Sequence, residues 1–136
     1  MSGTGCSGTP LIKKLGLKPG LPALVLNAPE QYPAWLGPGY GEAHWFCTPE
    51  TPLAFIHVFV SERAELRHLL AGLLPRLRPE GMLWVSWPKK AAKLPTDLSE
   101  DAVRAEALPL GLVDVKVCAV SEIWSGLKLV IPKNLR

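Results

Sequence analysis

The chain has 136 residues, of which 48% are hydrophobic and 20% charged, and its net charge is +3 at pH 7. This balance is typical of one globular domain and excludes a disordered chain, and no apolar run approaches the roughly 18 residues that span a bilayer. A positive charge this small argues against a dedicated nucleic-acid binder, which usually presents a dense basic surface.

The cysteines and the first residues indicate a compartment. Cys6, Cys47 and Cys118 are odd in number and far apart, with no C-x-x-C pair and no metal-ligand spacing. This pattern is typical of free thiols in a reducing cytosol. The first residues lack the charged start and the apolar core of a signal peptide. The sequence therefore predicts a cytoplasmic protein with no membrane segment.

The use of proline and of amide residues has two explanations. The 14 prolines among 136 residues are about twice the usual share of roughly 5%. The only side-chain amides belong to Asn27, Gln31 and Asn134. Proline-rich loops and few heat-labile amides suit a thermophile. A GC-rich genome would produce the same bias, so both explanations stay open.

The first third of the chain predicts two short helices and two strands. Residues 1–8 are small and polar and are expected to be flexible, so the domain is taken as residues 9–136. Thr9 is expected to cap a short helix that begins at Pro10 and that Gly16 ends. The pattern then predicts a strand, a helix that a glycine–proline turn at 37–39 ends, and a second strand, at residues 23–27, 30–36 and 43–47.

The middle of the chain reads as a strand, a helix and a strand. Residues 55–60 and 82–87 are apolar runs rich in β-branched and aromatic residues. Between them the leucines recur by threes and fours, which places them on one helix face: Leu66, Leu69, Leu70, Leu73 and Leu77. Residues 79–81 are expected to end this helix. Two strands joined through a helix run parallel in one sheet, with helices covering it.

The last third predicts a helix and a hairpin. Thr96 or Ser99 is expected to cap a helix that runs to about Leu108. Residues 113–120 and 126–131 follow as strands, and the short connection between them requires an antiparallel pair. The predicted fold is therefore a single three-layer α/β domain with a mostly parallel sheet.

This order of elements, together with the stretch Leu-Arg-Pro-Glu-Gly at 77–81, resembles the class I methyltransferase version of the Rossmann fold and its L-x-P-G-G turn. The resemblance implies a Rossmann-like sheet of about six strands in the order 2-1-3-4-6-5, with the last strand antiparallel. That is one strand fewer than the usual seven of the family.

Three sequence blocks resemble a narrower group of proteins. They are S-G-T-P-L-x-K-K-L-G at 7–16, W-V-S-W-P-K-K at 84–90, and D-V-K-V-C-A-V-x-E-x-W-S-G-L-K-L-V at 114–130. Together they are similar to a small bacterial domain-of-unknown-function family, and the similarity extends over nearly the whole chain. This resemblance implies a bacterial protein and brings no activity with it.

The loop after the first strand departs from the methyltransferase pattern. That family uses a glycine-rich turn there, so that backbone amides approach the methionine part of S-adenosylmethionine. Here residues 27–31 contain no glycine, and Pro29 lacks an amide donor and restricts Ala28. The acid that would hold the cofactor ribose is expected at the end of the second strand, and the nearest one, Glu50, lies beyond it. No cofactor is therefore expected, with S-adenosylmethionine as the alternative.

Candidate ligand-binding residues follow the strands at their carboxyl ends, where open α/β sheets bind ligands. The tryptophans offer stacking faces, the lysines positive charge, and the remaining residues hydrogen bonds. This mixture suits a small anionic or planar ligand. An alternative stays open, in which the tryptophans pack under the helices and the lysines are only solvated. The candidate residues are Asn27, Ser86, Trp87, Lys89, Lys90, Trp124 and Ser125.

No catalytic residue and no metal site are predicted. His57 lies inside an apolar strand, as expected of a hydrogen-bonded core histidine. His44 and His68 have no acid or cysteine at ligand spacing, and Ser86 and Ser125 lack the G-x-S-x-G elbow of hydrolases.

Three functions are therefore considered. The first is a non-catalytic ligand-binding or regulatory domain on a degenerate methyltransferase-like scaffold. The second is an S-adenosylmethionine-dependent methyltransferase with an altered cofactor loop. The third is a protein-interaction module that uses the edge of strand two, which carries Trp45 and Phe46.

Overall fold

The structure is a computed structural model that describes residues 9–50 and 52–136, and the predicted flexibility of residues 1–8 lies outside the described residues. Its strands are β1 (Pro22–Leu26), β2 (His44–Trp45), β3 (Leu53–Phe59), β4 (Leu77–Pro88), β5 (Val113–Ala119) and β6 (Trp124–Val130). Its α-helices are α1 (Leu11–Leu15), α2 (Tyr32–Leu36), α3 (Arg63–Leu73) and α4 (Glu100–Ala107). Short 3₁₀ helices lie at Gly37–Glu42, Leu74–Arg76, Lys90–Ala92, Leu108–Leu110 and Lys133–Leu135.

All six strands form one sheet in the order β2-β1-β3-β4-β6-β5. The pairs of β1 with β2, β1 with β3, and β3 with β4 are parallel. The last strand, β6, runs antiparallel to both β4 and β5. This confirms the predicted α/β sheet, its strand order and its reversed last strand.

Each face of the sheet is covered by a separate apolar cluster. On one face, α3 and α4 pack on the strands through buried residues such as Leu66, Leu70 and Val103. On the other face, α1 and α2 pack on an aromatic-rich cluster that includes Phe59 and Trp84. Successive side chains of β3 and β4 point alternately into the two clusters, which is the period-2 pattern expected of strands buried on both sides.

The helix α3 ends earlier than the sequence pattern predicts. It buries Leu66, Leu70 and Leu73, but its last α-helical residue is Leu73. Leu77 already belongs to β4 and pairs with Leu53 of β3, so its place on the helix face is wrong. Residues 79–81 lie within β4 and do not end the helix. The pairing of β3 with β4 shifts in register there, which absorbs the proline and the glycine.

The first helix is capped differently from the prediction. Pro10 occupies the N-cap position in an extended conformation, so the assignment of Thr9 as the cap is wrong. Gly16 ends the helix as expected, with a left-handed φ of 79°. Its N–H donates to the carbonyls of Ile12 and Lys13. A left-handed residue at this position is most easily a glycine, because a Cβ would be strained.

The second helix and the second strand are shorter than predicted. The α-helix α2 ends at Leu36 with Gly37 as its C-cap, as the glycine–proline turn at 37–39 predicts, and a separate 3₁₀ helix follows from Gly37 to Glu42. β2 then pairs with β1 over only two residues, Pro22 with His44 and Ala23 with Trp45.

The last helix and the hairpin follow the sequence closely. Ser99 caps α4 by accepting a hydrogen bond from the N–H of Ala102 at 3.1 Å. Thr96, the alternative cap, instead donates its hydroxyl to the carbonyl of Ser61 at 2.6 Å. β5 and β6 form the predicted antiparallel pair. Within the described part of the chain, no helix is long and apolar enough to cross a membrane.

Candidate functional site

The turn after β1 bends sharply at Asn27. Asn27 is exposed and has a φ of 61°, a left-handed conformation that asparagine tolerates better than most residues. The N–H of Tyr32 donates to the carbonyl of Pro29, which leads the chain into α2. Among the described residues, no acceptor is found for the N–H groups of Ala28, Glu30 and Gln31. The turn therefore presents three backbone donors beside the carboxyl end of β1.

A buried line of hydrogen bonds connects this turn to β4. The hydroxyl of Tyr32, the first residue of α2, lies 2.9 Å from Nδ1 of His57 on β3. Nε2 of His57 lies 2.8 Å from Oγ of Ser86 on β4. The three side chains are buried, and no buried side-chain polar atom of the described residues lacks a partner. His57 is thus a satisfied core histidine, as its place in an apolar strand predicts.

Burial decides the charge state of this line. It lowers the pKa of His57 to about 3, so the imidazole is neutral near pH 7. Burial, and to a smaller extent Tyr40, raises the pKa of Tyr32 above its ordinary value. A neutral imidazole donates through one nitrogen and accepts through the other, and hydroxyl groups can fill either role opposite it. The line is therefore uncharged and fully paired.

The two candidate tryptophans lie at the same edge of the sheet on opposite faces. Trp87 is buried in the cluster under α3 and α4. Trp124 is half-buried against the other cluster, where its ring meets that of Phe59 edge-on with centroids 5.1 Å apart. Pro88 is the residue of β4 that pairs with Trp124, and Trp87 pairs with Ser125. The structure therefore brings the tryptophans to one edge but not to one surface.

The remaining candidates divide between the interior and the surface. The side chain of Ser86 is fully buried, and its hydroxyl is hydrogen-bonded to His57. Lys89 is half-buried, and its N–H donates to the carbonyl of Ile123 at 2.7 Å. Lys90 is exposed and begins a short 3₁₀ helix. Ligand binding by these residues stays a prediction, with Asn27 and Lys90 the most accessible of them.

A groove opens at the carboxyl edge between the loops that follow β3 and β4. Its volume is about 490 Å³, and its lining residues are Ser61, Glu62, Ala64, Pro95, Thr96 and Asp97. Oδ1 of Asp97 accepts a hydrogen bond from the N–H of Arg63 at 2.7 Å, so the first turn of α3 is already capped from the opposite loop. A second, more apolar groove of about 440 Å³ lies beside α1 and includes Ile12, Lys13, Leu17 and Lys18.

Two features of this edge escaped the sequence pattern. Tyr32 belongs to a helix of five residues, which is too short for a clear periodic signal. The one indication in the sequence that Tyr32 has a role here is His57 of β3, because a buried histidine requires polar partners. Thr96 and Asp97 follow β4 by several residues and reach the groove only through the loop conformation. Among the described residues, no group of three or more metal-ligating side chains is found.

The strand β2 has a short edge, and the aromatic residues near it already stack on other rings of the chain. The ring of Trp45 stacks on that of Tyr40 at 4.9 Å, and its Nε1–H donates to the carbonyl of Tyr40 at 2.7 Å. Phe46 stacks on His44 at 4.7 Å. A partner strand would therefore find only a two-residue edge here, so pairing through β2 stays a prediction that this geometry does not favour.

The residues after β1 and β2 fit S-adenosylmethionine in part. The left-handed Asn27 makes the sharp turn that a glycine would otherwise provide, and free N–H groups follow it. Glu50, the nearest acid to the end of β2, is exposed and accepts a hydrogen bond from the Thr48 hydroxyl at 2.8 Å. The backbone of the turn fits the cofactor, and Oε1 of Glu50 can accept a hydrogen bond while Oε2 is bonded to Thr48, but Glu50 lies five residues beyond the end of β2.

Several solved structures with a similar fold are methyltransferases. A SAM-dependent methyltransferase from Aquifex aeolicus matches 90% of this chain and 88% of its own, with a TM-score of 0.62 and 17% identity. The glycopeptide N-methyltransferase MtfA, in complex with S-adenosyl-L-methionine, matches 88% of this chain and 90% of its own, with a TM-score of 0.58 and 13% identity. A ribosomal protein L11 methylase from Lactobacillus delbrueckii subsp. bulgaricus matches 89% and 74%, with a TM-score of 0.54 and 10% identity.

The chain has a methyltransferase-like Rossmann fold. Identities this low show the fold and leave the activity open. No family model and no curated protein matches the chain, so its resemblance to a small bacterial family stays a prediction.

Proposed function

We propose that this chain binds S-adenosylmethionine at the carboxyl edge of β1, β2 and β3 and is a methyltransferase with an altered cofactor loop. The observation that best supports this is the match to methyltransferases over about nine tenths of the chain, one of them in complex with the cofactor. The carboxyl edge is also where sheets of this type bind ligands.

The turn after β1 supplies the second argument. A bound S-adenosylmethionine supplies an electrophilic methyl group on its sulfonium. The N–H groups of Ala28, Glu30 and Gln31 are available to an anionic ligand group such as its carboxylate. Asn27 keeps the backbone in the conformation that exposes them. The line from Tyr32 to Ser86 holds the start of α2 in place beside the turn.

The second candidate is a non-catalytic ligand-binding or regulatory domain that uses the same edge. It is favoured by Pro29, which removes one backbone donor, and by the absence of glycine from residues 27–31. Under this hypothesis the scaffold holds a different small ligand, and no methyl group is transferred.

Calorimetric titration with S-adenosylmethionine and S-adenosylhomocysteine tests the proposal. We expect saturable binding, and at 100 times the dissociation constant the bound state gains about 2.7 kcal/mol of stability. Asn27→Gly should retain binding, because glycine adopts the left-handed turn freely. Asn27→Val should weaken binding, because a β-branched residue is strained there. Lys93→Val is the matched control, since Lys93 also has a left-handed φ, of 56°, outside this turn.

The two candidates give different results when methyl transfer is measured. Radiolabelled S-adenosylmethionine incubated with the chain and with a protein and nucleic-acid extract should label an acceptor if the chain is a methyltransferase. Binding without labelling supports the non-catalytic candidate. No binding of either compound at millimolar concentration rejects the cofactor altogether.

A further inference from the structure

Three lysines converge on the face of the sheet that α1 covers. Lys116 of β5 and Lys128 of β6 are directly paired across the two strands. Directly opposed residues project to the same face, and Lys128 also pairs with Trp84, whose ring lies under α1. Lys14 belongs to the last turn of α1. We call Lys14, Lys116 and Lys128 the lysine cluster.

The surroundings of Cys118 connect Lys14 of α1 with Lys116 of β5. Nε1–H of Trp84 donates to the carbonyl of Leu15 at 2.8 Å, so the last turn of α1 lies directly over the neighbouring strand. Burial raises the pKa of Cys118, while the charges of Lys14 and Lys116 act on the same thiol in the opposite direction. Cys118 is half-buried on this face, and its pairing partner is Gly126.

A bulge in β5 turns Asp114 away from this face and leaves Lys116 on it. Asp114 pairs with Leu129 and Lys116 with Lys128, so Val115 is an extra residue and the register shifts between them. In a regular strand Asp114 and Lys116 would share a face. The bulge instead turns Asp114 toward α4, where it accepts a hydrogen bond from Nε of Arg104 at 2.9 Å. Bulges that re-aim side chains are frequent in edge strands such as β5 and next to active sites.

The cluster has no acidic partner of its own. In the described part of the chain, no ion pair includes Lys14, Lys116 or Lys128. Residues 1–8 and 51 contain no aspartate or glutamate. Directly opposed like charges on neighbouring strands destabilise a sheet. Burial, and then the charge of Lys116, lowers the pKa of Lys128. The arrangement therefore carries an electrostatic cost that an anion would relieve.

We propose that the lysine cluster is a binding site for a phosphate group of a phosphorylated ligand. A phosphate group carries up to two negative charges and several acceptor oxygens, which ammonium groups on the same face can share. The phosphate belongs either to a small phosphorylated molecule or to the backbone of a single-stranded nucleic acid. The site lies on a sheet face, away from the turn after β1, and does not depend on S-adenosylmethionine binding.

Titration with pyrophosphate and with a fluorescent 12-nucleotide oligouridine, in 50 mM salt without divalent cations, tests the site. We expect at least one of them to bind, and Lys116→Gln and Lys128→Gln each to weaken binding by about tenfold. Arg76→Gln is the control, because it removes one exposed charge after α3, on the opposite face. Binding of pyrophosphate alone indicates a small ligand. Oligouridine binding that weakens steeply with salt indicates a nucleic-acid backbone.

Stability measurements separate a binding site from a structural cluster. Without ligand, Lys116→Gln should raise the midpoint of urea unfolding, because it removes the repulsion of Lys128. A lowered midpoint would mean that the lysines stabilise the fold. That outcome overturns the proposal, as does failure of both probes to bind or binding that neither lysine substitution weakens.

Discussion

His57 is a polar residue in a strand whose every residue is buried. Its two ring nitrogens are satisfied by Tyr32 and Ser86, which come from different elements. Because the folded pKa of about 3 lies below the ordinary value of 6.5, the unfolded chain binds the proton more tightly. The stabilising contribution is therefore complete above about pH 6.5 and is lost as the pH falls toward 3.

This difference in proton binding can be measured with His57→Phe. Between pH 7.5 and pH 5, the native chain should lose about 2 kcal/mol more of its free energy of unfolding than the variant does. The variant also leaves the hydroxyls of Tyr32 and Ser86 without their partner, which adds a cost that does not change with pH. Urea unfolding at several pH values separates the two effects. Equal pH dependence of both proteins would contradict a neutral, buried His57.

At the scale of elements, two glycines in neighbouring parts of the chain should respond oppositely to alanine. A Cβ at Gly81 of β4 would lie 3.1 Å from the carbonyl oxygens of Leu53 and Arg78, which are backbone atoms that cannot easily move. Gly81→Ala should therefore destabilise by about 1–3 kcal/mol. Gly72 in α3 is exposed, and a Cβ there meets nothing within 4 Å. Gly72→Ala should stabilise by about 0.5–1 kcal/mol.

Chemical denaturation of both variants in one buffer gives the comparison. An unchanged Gly81→Ala would mean that the start of β4 is less tightly packed than the close contacts at Gly81 require, and a loss of stability in Gly72→Ala would contradict the open surroundings of that helix position. The two substitutions add the same methyl group, so their difference reports the surroundings of each glycine and not the chemistry of the change.

The sheet could be predicted from sequence because its core strands, β3 and β4, are apolar runs on either side of a leucine-rich helix. The predicted end of the helix was wrong because Pro79 and Gly81, which usually break regular structure, lie within β4. The irregular pairing of β3 with β4 accommodates them there. The bulge at Val115 could not be predicted, because it changes which way Asp114 faces relative to Lys116 without changing the composition of the strand.

The candidate ligand-binding residues could be placed only at an edge. Side-chain direction follows from strand register, and neighbouring residues of a strand face opposite sides. Ser86 therefore faces His57 while Trp87 enters the cluster under α3 and α4, and Trp124 lies across the sheet from Trp87. A sequence pattern shows that these residues reach one edge but not which of them share a surface.

At the scale of the whole molecule, prolines begin several helical segments. Pro33, Pro38, Pro75 and Pro109 occupy the first or second position of such a segment, where the fixed φ of proline fits. Proline at a compatible position stabilises by about 0.4–1 kcal/mol, chiefly by restricting the unfolded chain. A thermophilic origin remains one of two explanations of the proline content, and it stays a prediction beside a bias of genome composition.

Differential scanning calorimetry tests this explanation. We expect an unfolding midpoint above about 65 °C, beyond the usual range of mesophilic domains. Pro109→Ala should lower the free energy of unfolding by about 0.4–1 kcal/mol. A midpoint below about 60 °C would assign the proline content to the genome.

The hydrogen bonds from Tyr32 through His57 to Ser86 connect the start of α2, at the carboxyl edge of the sheet, to the buried strands β3 and β4. Shifting the start of α2 would leave an imidazole nitrogen unpaired in apolar surroundings, which costs about 1–3 kcal/mol. A ligand that binds at the carboxyl edge of the sheet therefore contacts a surface that is already formed in the folded chain. Because this edge is preorganised, ligands that match its shape bind with little entropic loss. Ligands that require it to open do not bind.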